Sequence, residues 1–259
     1  MRKEIVDRVW SGLLPRKSLK EHVPLLMRNV NSELKLTHSG TTVLSFFYNN
    51  GLLFAGDKKV SEGLHIISQD KTKFYDISPY SCFAAAGLVS DIQMLVNLLE
   101  EVNSGFTGRY GYQLSTEGQV NYLVSELRDF WQYSSMPMDA LTILGGFDPM
   151  RENFRLFAVG CDGSKRECLD YAVVGSGSDF AVAKLEENRK KLLERKLTKE
   201  EAIEIAVQAI FQAGKKDMGT SDIRIARPSI ATITKSEQFS FVEESVVENV
   251  VNGIVKEEL

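Results

Sequence analysis

The 259-residue sequence predicts an α+β fold in which antiparallel sheets are covered by pairs of helices. Short β-branched and aromatic segments come in blocks, separated by blocks of helical periodicity, whereas a doubly wound parallel fold alternates strand and helix one by one. An Asn-Gly pair between the first two strand-like segments is typical of a β-hairpin. No repeat or low-complexity linker divides the chain, which indicates one domain with a leader before it and a tail after it.

The first block begins at Thr42 with the segment TVLSFFY, and the turn Asn49-Asn50-Gly51 joins it to LLFA. In the usual two-residue hairpin turn both Asn50 and Gly51 take positive φ angles. Gly87 is predicted to begin a helix, because apolar residues recur at helical spacing from Leu88 onward. Further strands are predicted over residues 65–68, 73–77 and 81–86.

The second block starts with a helix over 117–133, for which Thr116 and Gln119 have the spacing of a capping box. A second capping box, Thr198 to Glu201, predicts a helix that continues to Lys216. The turn-forming sequence GSGS precedes another helix over 179–195. The remaining predicted elements are strands over 140–146, 153–159, 168–174 and 223–234 and a short amphipathic helix over 242–255 in a tail that starts near 236.

Composition argues against several classes of function. A net charge of −4 and a pI near 5.6 make nucleic acid an improbable partner. No apolar run is long enough to cross a membrane, and charged residues interrupt the N-terminus where a secretion signal would be apolar. Three cysteines predict a reducing cytoplasm. The three histidines are not at metal-ligand spacing, which argues against a zinc site. Because two of them lie in the leader, a hydrolase would need a base other than histidine.

Residues 1–40 differ in charge from the rest of the chain. They carry eight basic and four acidic residues, a charge of +4, so the remainder is −8. We predict that residues 1–40 are a propeptide and that the Gly40–Thr41 bond is cleaved. Thr41 would then be both the new N-terminus and the nucleophile, with its own α-amine as the base, because the pKa of an α-amine is about 7.7–8.

Several motifs occur at fixed distances from Thr41: Asp57, Lys73 and Gly87 follow it by 16, 32 and 46 positions, and the motifs GSGSDFA and KKDMGTSD come later. With this pattern the chain resembles bacterial-type proteasome β-subunits over nearly all of its length after the leader. The resemblance implies an Ntn-hydrolase fold, a four-layer α-β-β-α sandwich of two antiparallel sheets flanked by helices. It also implies a threonine-type endopeptidase that is made as an inactive precursor, cleaves itself after Gly40 and needs no metal or organic cofactor.

The resemblance also assigns roles to individual residues. Lys73 would favour the alkoxide of Thr41, Asp57 would orient Lys73, and the Gly87 N–H would donate to the oxyanion. Ser176 and Asp217 would hold the threonine terminus, with Lys59 and Thr220 in support. The family has a glycine where this chain has Ser221, which makes the backbone there a point to examine.

For substrates, the resemblance implies a pocket that is mostly apolar and prefers hydrophobic residues before the cut, with some tolerance of acidic ones. Ser61 and Val89 would offer backbone groups to an extended peptide. The pocket residues are Val60, Lys71, Ala85 and Val89.

The implied partners are proteasome α-subunits, other β-subunits in seven-membered rings of a 28-subunit core, an ATP-dependent unfoldase and unfolded polypeptides. Two alternatives stay open. One is a non-catalytic β-type subunit that serves as a scaffold. The other is the simpler two-ring bacterial peptidase related to the proteasome, which usually reads GSGG where this chain has GSGS.

Overall fold

A computed structural model describes residues 38–62 and 65–257 of the chain. None of the helices in this part combines the length and the apolar character that a membrane span requires. The helices are α1 (Val89–Tyr110), α2 (Thr116–Ser134), α3 (Ser178–Glu187), α4 (Arg189–Leu193), α5 (Lys199–Lys216) and α6 (Glu244–Glu257). The strands are β1 (His38–Ser39), β2 (Thr42–Tyr48), β3 (Gly51–Gly56), β4 (Val60–Glu62), β5 (His65–Ser68), β6 (Phe74–Ser78), β7 (Ser81–Leu88), β8 (Ala140–Asp148), β9 (Asn153–Val159), β10 (Lys165–Glu167), β11 (Tyr171–Gly175), β12 (Ser229–Thr234) and β13 (Gln238–Phe241).

The strands form two antiparallel sheets and a separate hairpin of β4 and β5. In the first sheet the order is β1-β7-β8-β9-β10, and β6 also pairs with β7. The second sheet has the order β11-β2-β3-β12-β13. Helices cover the outer face of each sheet and the inner faces pack on each other, so the predicted four-layer α+β sandwich is confirmed.

Strand β2 shows how the layers follow from the sequence. Successive side chains of a strand point to opposite faces, and both faces of β2 are apolar. Val43 and Phe47 pack between the two sheets, whereas Leu44 and Phe46 pack under α3 and α5. All four side chains are buried, which is why the segment is a nearly continuous apolar run.

The β2–β3 hairpin is confirmed, but the predicted turn geometry is wrong. Tyr48 pairs with Gly51, so the two turn residues are Asn49 and Asn50, and Gly51 already belongs to β3. Neither Asn50 nor Gly51 is among the described residues with positive φ. The glycine is required for another reason, since a Cβ at position 51 would lie 2.0 Å from the carbonyl oxygen of Ile233 on the neighbouring strand.

We therefore expect Gly51→Ala to lower the free energy of unfolding by about 1–3 kcal/mol, the usual cost of overpacking a tight site. Gly105→Ala is the matched control, because a Cβ there meets no atom within 4 Å and alanine is favoured over glycine inside a helix. Urea denaturation of both variants measures the difference. Equal stabilities would mean that β3 and β12 separate easily enough to admit a methyl group.

Two predicted helix starts are corrected and one is confirmed. Gly87 does not begin a helix: it lies in β7 with φ +140°, and α1 starts at Val89. The cap of α2 is Ser115, which accepts a hydrogen bond from the Gly118 N–H, rather than Thr116. The capping box at the start of α5 is present as predicted, with both Thr198–Glu201 hydrogen bonds formed.

Other predicted elements differ in extent. The helix expected over 179–195 is divided by Asn188 into α3 and α4. The strand expected over 223–234 begins only at Ser229, since residues 222–226 form turns closed by hydrogen bonds to the Asp222 carbonyl oxygen. Strands β1, β4, β10 and β13 were not predicted. Most of the predicted propeptide lies outside the described residues.

Candidate active site

Thr41 and Lys73 meet where the two sheets face each other. Thr41 directly precedes β2 of the second sheet, and Lys73 directly precedes β6 of the first. The Lys73 ammonium Nζ donates a hydrogen bond of 2.8 Å to Thr41 Oγ1 and a second one to the Lys59 carbonyl oxygen. Thr41 is fully buried and Lys73 is 4% exposed. The predicted nucleophile and the predicted lysine are therefore in direct contact.

Asp57 is a buried carboxylate with several donors. The backbone N–H groups of Thr42, Lys59 and Ser221 donate to it over 3.0, 2.9 and 3.2 Å, and the Ser221 hydroxyl donates over 3.2 Å. The pKa of Asp57 is raised above its ordinary value, because the effect of burial exceeds that of the Lys73 charge and of the backbone donors, which lower it. Four donors stabilise the ionised form specifically, so we treat Asp57 as a carboxylate.

Burial also acts on Lys73. The pKa of Lys73 is lowered to about 8, chiefly by burial, while the charge of Asp57 raises it and the neighbouring Lys71 lowers it. A lysine with a pKa close to neutrality exchanges its proton at physiological pH. At 2.8 Å from the Thr41 hydroxyl, the neutral amine can accept the hydroxyl proton and the ammonium form can stabilise an alkoxide.

A second polar group holds the Thr41 backbone. The Thr41 N–H donates to Ser176 Oγ over 3.3 Å, and Ser176 Oγ donates to Asp217 Oδ2 over 2.7 Å. Thr220 donates to the same carboxylate oxygen over 2.6 Å. Ser176 follows β11, and the other two residues lie in the loop after α5, so the nitrogen of Thr41 is fixed by segments far along the chain.

Gly87 lies near the end of β7, and its φ angle of +140° is strained for any residue with a side chain. A Cβ at this position would lie 2.1 Å from the Asp139 carbonyl oxygen. Strand β1 pairs with this part of β7, with Ser39 opposite Gly87 and His38 opposite Leu88. Backbone groups of β7 at Gly87 thus face the chain just before the Gly40–Thr41 bond.

Strand β1 lies next to β4 as well as along β7. His38 and Ser39 therefore lie beside the segments that contain Ser61 and Val89, the residues predicted to offer backbone groups to an extended substrate peptide. Because Thr41 is fully buried, an external peptide cannot reach its hydroxyl in this form of the chain.

The residues predicted for the substrate pocket lie on different elements. Val60 is buried in β4, Ala85 is buried in β7, Val89 is the first residue of α1, and Lys71 is exposed in the segment before β6. Ser61 lies in β4 opposite Ile66. Ala85 packs in the core under α1 and α2, so its methyl group lies on the helix-covered face of the first sheet.

Sequence reasoning missed two hydroxyl residues of this site. The Thr42 hydroxyl lies 2.6 Å from the Thr220 hydroxyl, and Ser221 gives two hydrogen bonds to Asp57. Ser221 stands where the resemblance expects a glycine, and it forms these bonds, one from its N–H and one from its hydroxyl, without a positive φ angle. The departure of Ser221 from the family pattern was a signal that the sequence did contain. The sequence contained no such signal for Thr42, because its partner Thr220 lies 178 positions away.

The chain is similar to known proteins of one family. A model of the proteasome subunit family matches residues 37–227. The proteasome subunit beta of Streptomyces griseus is 30% identical over 85% of this chain and 78% of its own length. The chain belongs to the proteasome β-subunit family. Proteasome subunit beta of Frankia alni is 27% identical over 83% of the chain, and that of Jonesia denitrificans is 29% identical over 87%.

Membership of the proteasome β-subunit family has two general consequences. The family consists of subunits that assemble with others into a core particle, and it is generally a family of threonine proteases. Whether a particular β-subunit is catalytic depends on its residues, and here a threonine, a lysine with lowered pKa and a buried carboxylate come together.

Proposed function

We propose that this chain is a catalytic proteasome β-subunit, a threonine endopeptidase that becomes active by cleaving its own Gly40–Thr41 bond. The observation that supports the proposal most is the 2.8 Å hydrogen bond between Lys73 Nζ and Thr41 Oγ1. A buried lysine beside a threonine hydroxyl serves catalysis, whereas for stability alone a buried charge is costly.

Self-cleavage begins when the Thr41 hydroxyl adds to the carbonyl carbon of Gly40. Lys73, in its neutral form, accepts the hydroxyl proton, and the Gly87 N–H stabilises the oxyanion. The Gly40–Thr41 C–N bond then breaks, the leaving nitrogen takes a proton, and Gly40 remains as an ester on Thr41 Oγ1. Water hydrolyses this ester, releases the propeptide 1–40 and leaves Thr41 with a free α-amine.

The mature site then cuts peptides by the same acyl transfer. The new α-amine lies where the Thr41 N–H now donates to Ser176, so Ser176 and Asp217 orient it, with Thr220 in support. The α-amine is a second base beside Lys73, because its pKa is near neutrality. Before cleavage this nitrogen is an amide and cannot act as a base, which explains why the precursor is inactive.

The substrate is proposed to be an unfolded polypeptide that lies along β7 as β1 does now. The predicted pocket residues Val60, Ala85 and Val89 are apolar, which favours hydrophobic residues before the cut, and Lys71 tolerates acidic ones. Ser61 of β4 offers its backbone from the other side. A peptide library cleaved chiefly after Arg or Lys would contradict this preference.

We place the site in the interior of a cytoplasmic particle. Seven copies of this chain would form each of two β-rings, stacked between rings of α-subunits in a 28-subunit core, and an ATP-dependent unfoldase would supply substrates. The sizes of the purified particle and of its rings test this assembly. Hexameric rings would favour the two-ring peptidase instead.

The proposal is tested by the intact mass and N-terminal sequence of the chain co-expressed with its α-subunit. A new N-terminus at Thr41 is expected. A chain that still contains residues 1–40 after ring assembly would favour the alternative, a non-catalytic structural β-subunit.

The rate of self-cleavage is expected to rise with pH through about 8, the pKa of Lys73. Below that pH Lys73 is protonated and cannot accept the Thr41 proton, and above it the neutral amine predominates. Since the charge of Lys71 lowers the pKa of Lys73, Lys71→Met should move the profile to higher pH. Time courses of intact mass in buffers of different pH measure both effects, and a rate that falls as pH rises through 8 would contradict a base role for Lys73.

A further inference from the structure

Gly40 and Gly219 are in unusually close contact across the cleavage site. A Cβ built on Gly40 would lie 2.6 Å from Gly219 Cα and 3.0 Å from the Gly219 carbonyl oxygen. A Cβ built on Gly219 would lie 3.0 Å from Gly40 Cα and 2.6 Å from Ser176 Oγ. Neither position has room for a methyl group while residue 40 is attached to Thr41.

The loop that carries Gly219 is held from several sides. Lys59 Nζ donates to the Met218 carbonyl oxygen over 2.5 Å, the Gly219 N–H donates to Asp217 Oδ1 over 3.1 Å, and the Ser221 N–H donates to Asp57 Oδ2 over 3.2 Å. Because the obstacle to a side chain at Gly40 is this anchored backbone, the loop cannot easily move away. A methyl group on either glycine would instead displace Gly40.

We propose that Gly219 is a positioning residue for self-cleavage: its missing side chain lets Gly40 lie against the loop Asp217–Ser221 with its carbonyl group presented to the Thr41 hydroxyl. The inference rests on the proposed function, because it concerns the same cleavage. Displacing a reacting atom by about 1 Å can slow a reaction about a hundredfold. Gly219 touches the residue that leaves and does not itself take part in proton transfer or bonding.

The contact predicts different effects before and after cleavage. Release of the propeptide removes Gly40 and with it the 3.0 Å contact to its Cα. The remaining close contacts of a Cβ at position 219 are with Ser176 Oγ at 2.6 Å and with Asp217 Oδ2 at 3.2 Å, and both are side-chain atoms that can adjust more easily than the anchored backbone. Gly219→Ala should therefore slow maturation about a hundredfold and reduce peptide hydrolysis by each matured site only a few-fold.

The experiment follows the full chain, co-expressed with its α-subunit, as wild type, Gly219→Ala, Gly40→Ala and Gly253→Ala. The last is the control, since a Cβ at position 253 meets no atom within 4 Å. Intact mass over time gives the maturation rate, and peptide hydrolysis is divided by the fraction of chains that begin at Thr41. Slow maturation of Gly219→Ala and Gly40→Ala, with nearly normal hydrolysis per matured Gly219→Ala site, is the expected result.

The possible failures are distinguishable. A wild-type chain that never matures contradicts the proposed function itself. If the wild-type and Gly219→Ala chains mature at equal rates, only the role of Gly219 is contradicted. Equal losses of maturation and of hydrolysis per site would mean that Gly219 acts through Ser176, which also overturns the proposal. If Gly219→Ala does not fold, Gly40→Ala tests the same contact from the other side. Maturation of Gly40→Ala at the wild-type rate would then contradict the proposed role of Gly219.

Discussion

Thr41→Ala is expected to leave the chain at its full length and to abolish peptide hydrolysis. Alanine lacks the oxygen that forms both the ester with Gly40 and the acyl intermediate with a substrate. Since Thr41 is fully buried and the variant only removes atoms, the assembled fold should persist. Intact mass and hydrolysis of a fluorogenic peptide measure the two losses.

Thr41→Ser is the informative control for this prediction. Serine keeps the hydroxyl that accepts the 2.8 Å hydrogen bond from Lys73, so maturation should continue, at a reduced rate because the hydroxyl has more rotational freedom without the Thr methyl group. If Thr41→Ala still produced a chain that begins at residue 41, another protease would be the source of the cleavage.

Lys73→Met is expected to slow maturation about 10²–10⁴-fold, the usual contribution of a general base. Methionine approximates the length of the buried lysine side chain but cannot accept the Thr41 proton or stabilise its alkoxide. Asp57 keeps its three backbone donors and the Ser221 hydroxyl in this variant, so its charge remains compensated. The mass time course used for the wild type gives the rate.

Lys58→Met serves as the matched control for Lys73→Met. Lys58 is also sheltered, with a side chain that is 16% exposed, but its ammonium group pairs with the carboxylates of Asp70 and Glu244. Its removal should leave maturation unchanged. If the Lys73→Met and Lys58→Met chains matured equally fast, proton transfer would have to be assigned to another group.

The sequence predicts most accurately what depends on neighbouring residues. The cap at Thr198 and the strand β2 follow from local spacing and from a continuous apolar run, and both are observed. The cap of α2 was displaced by one residue because Ser115 and Thr116 are both good capping residues. Gly87 was misassigned to a helix because it belongs to a strand and pairs with Ala140 of β8, a distant partner that no local pattern shows.

For the candidate site, too, some features could be predicted from the sequence and others could not. The spacing of Asp57, Lys73 and Gly87 from Thr41 was visible in the sequence through the resemblance to a family. The hydrogen bonds of Thr42 and Ser221 were not, because each joins segments more than 160 positions apart, 178 for Thr42–Thr220 and 164 for Ser221–Asp57. Such contacts depend on how the sheets stack and on where the loop after α5 returns.

The order in which the site residues are synthesised differs from the order in which they are needed. Thr41 leaves the ribosome early, yet Ser176, which holds it, follows 135 positions later and its partner Asp217 a further 41 positions after that. At about 5–20 residues per second the ribosome needs roughly ten to forty seconds to proceed from Thr41 to Ser221. During this interval Thr41 lacks these partners, so the proposed self-cleavage would have to wait until the chain has been made at least to residue 221.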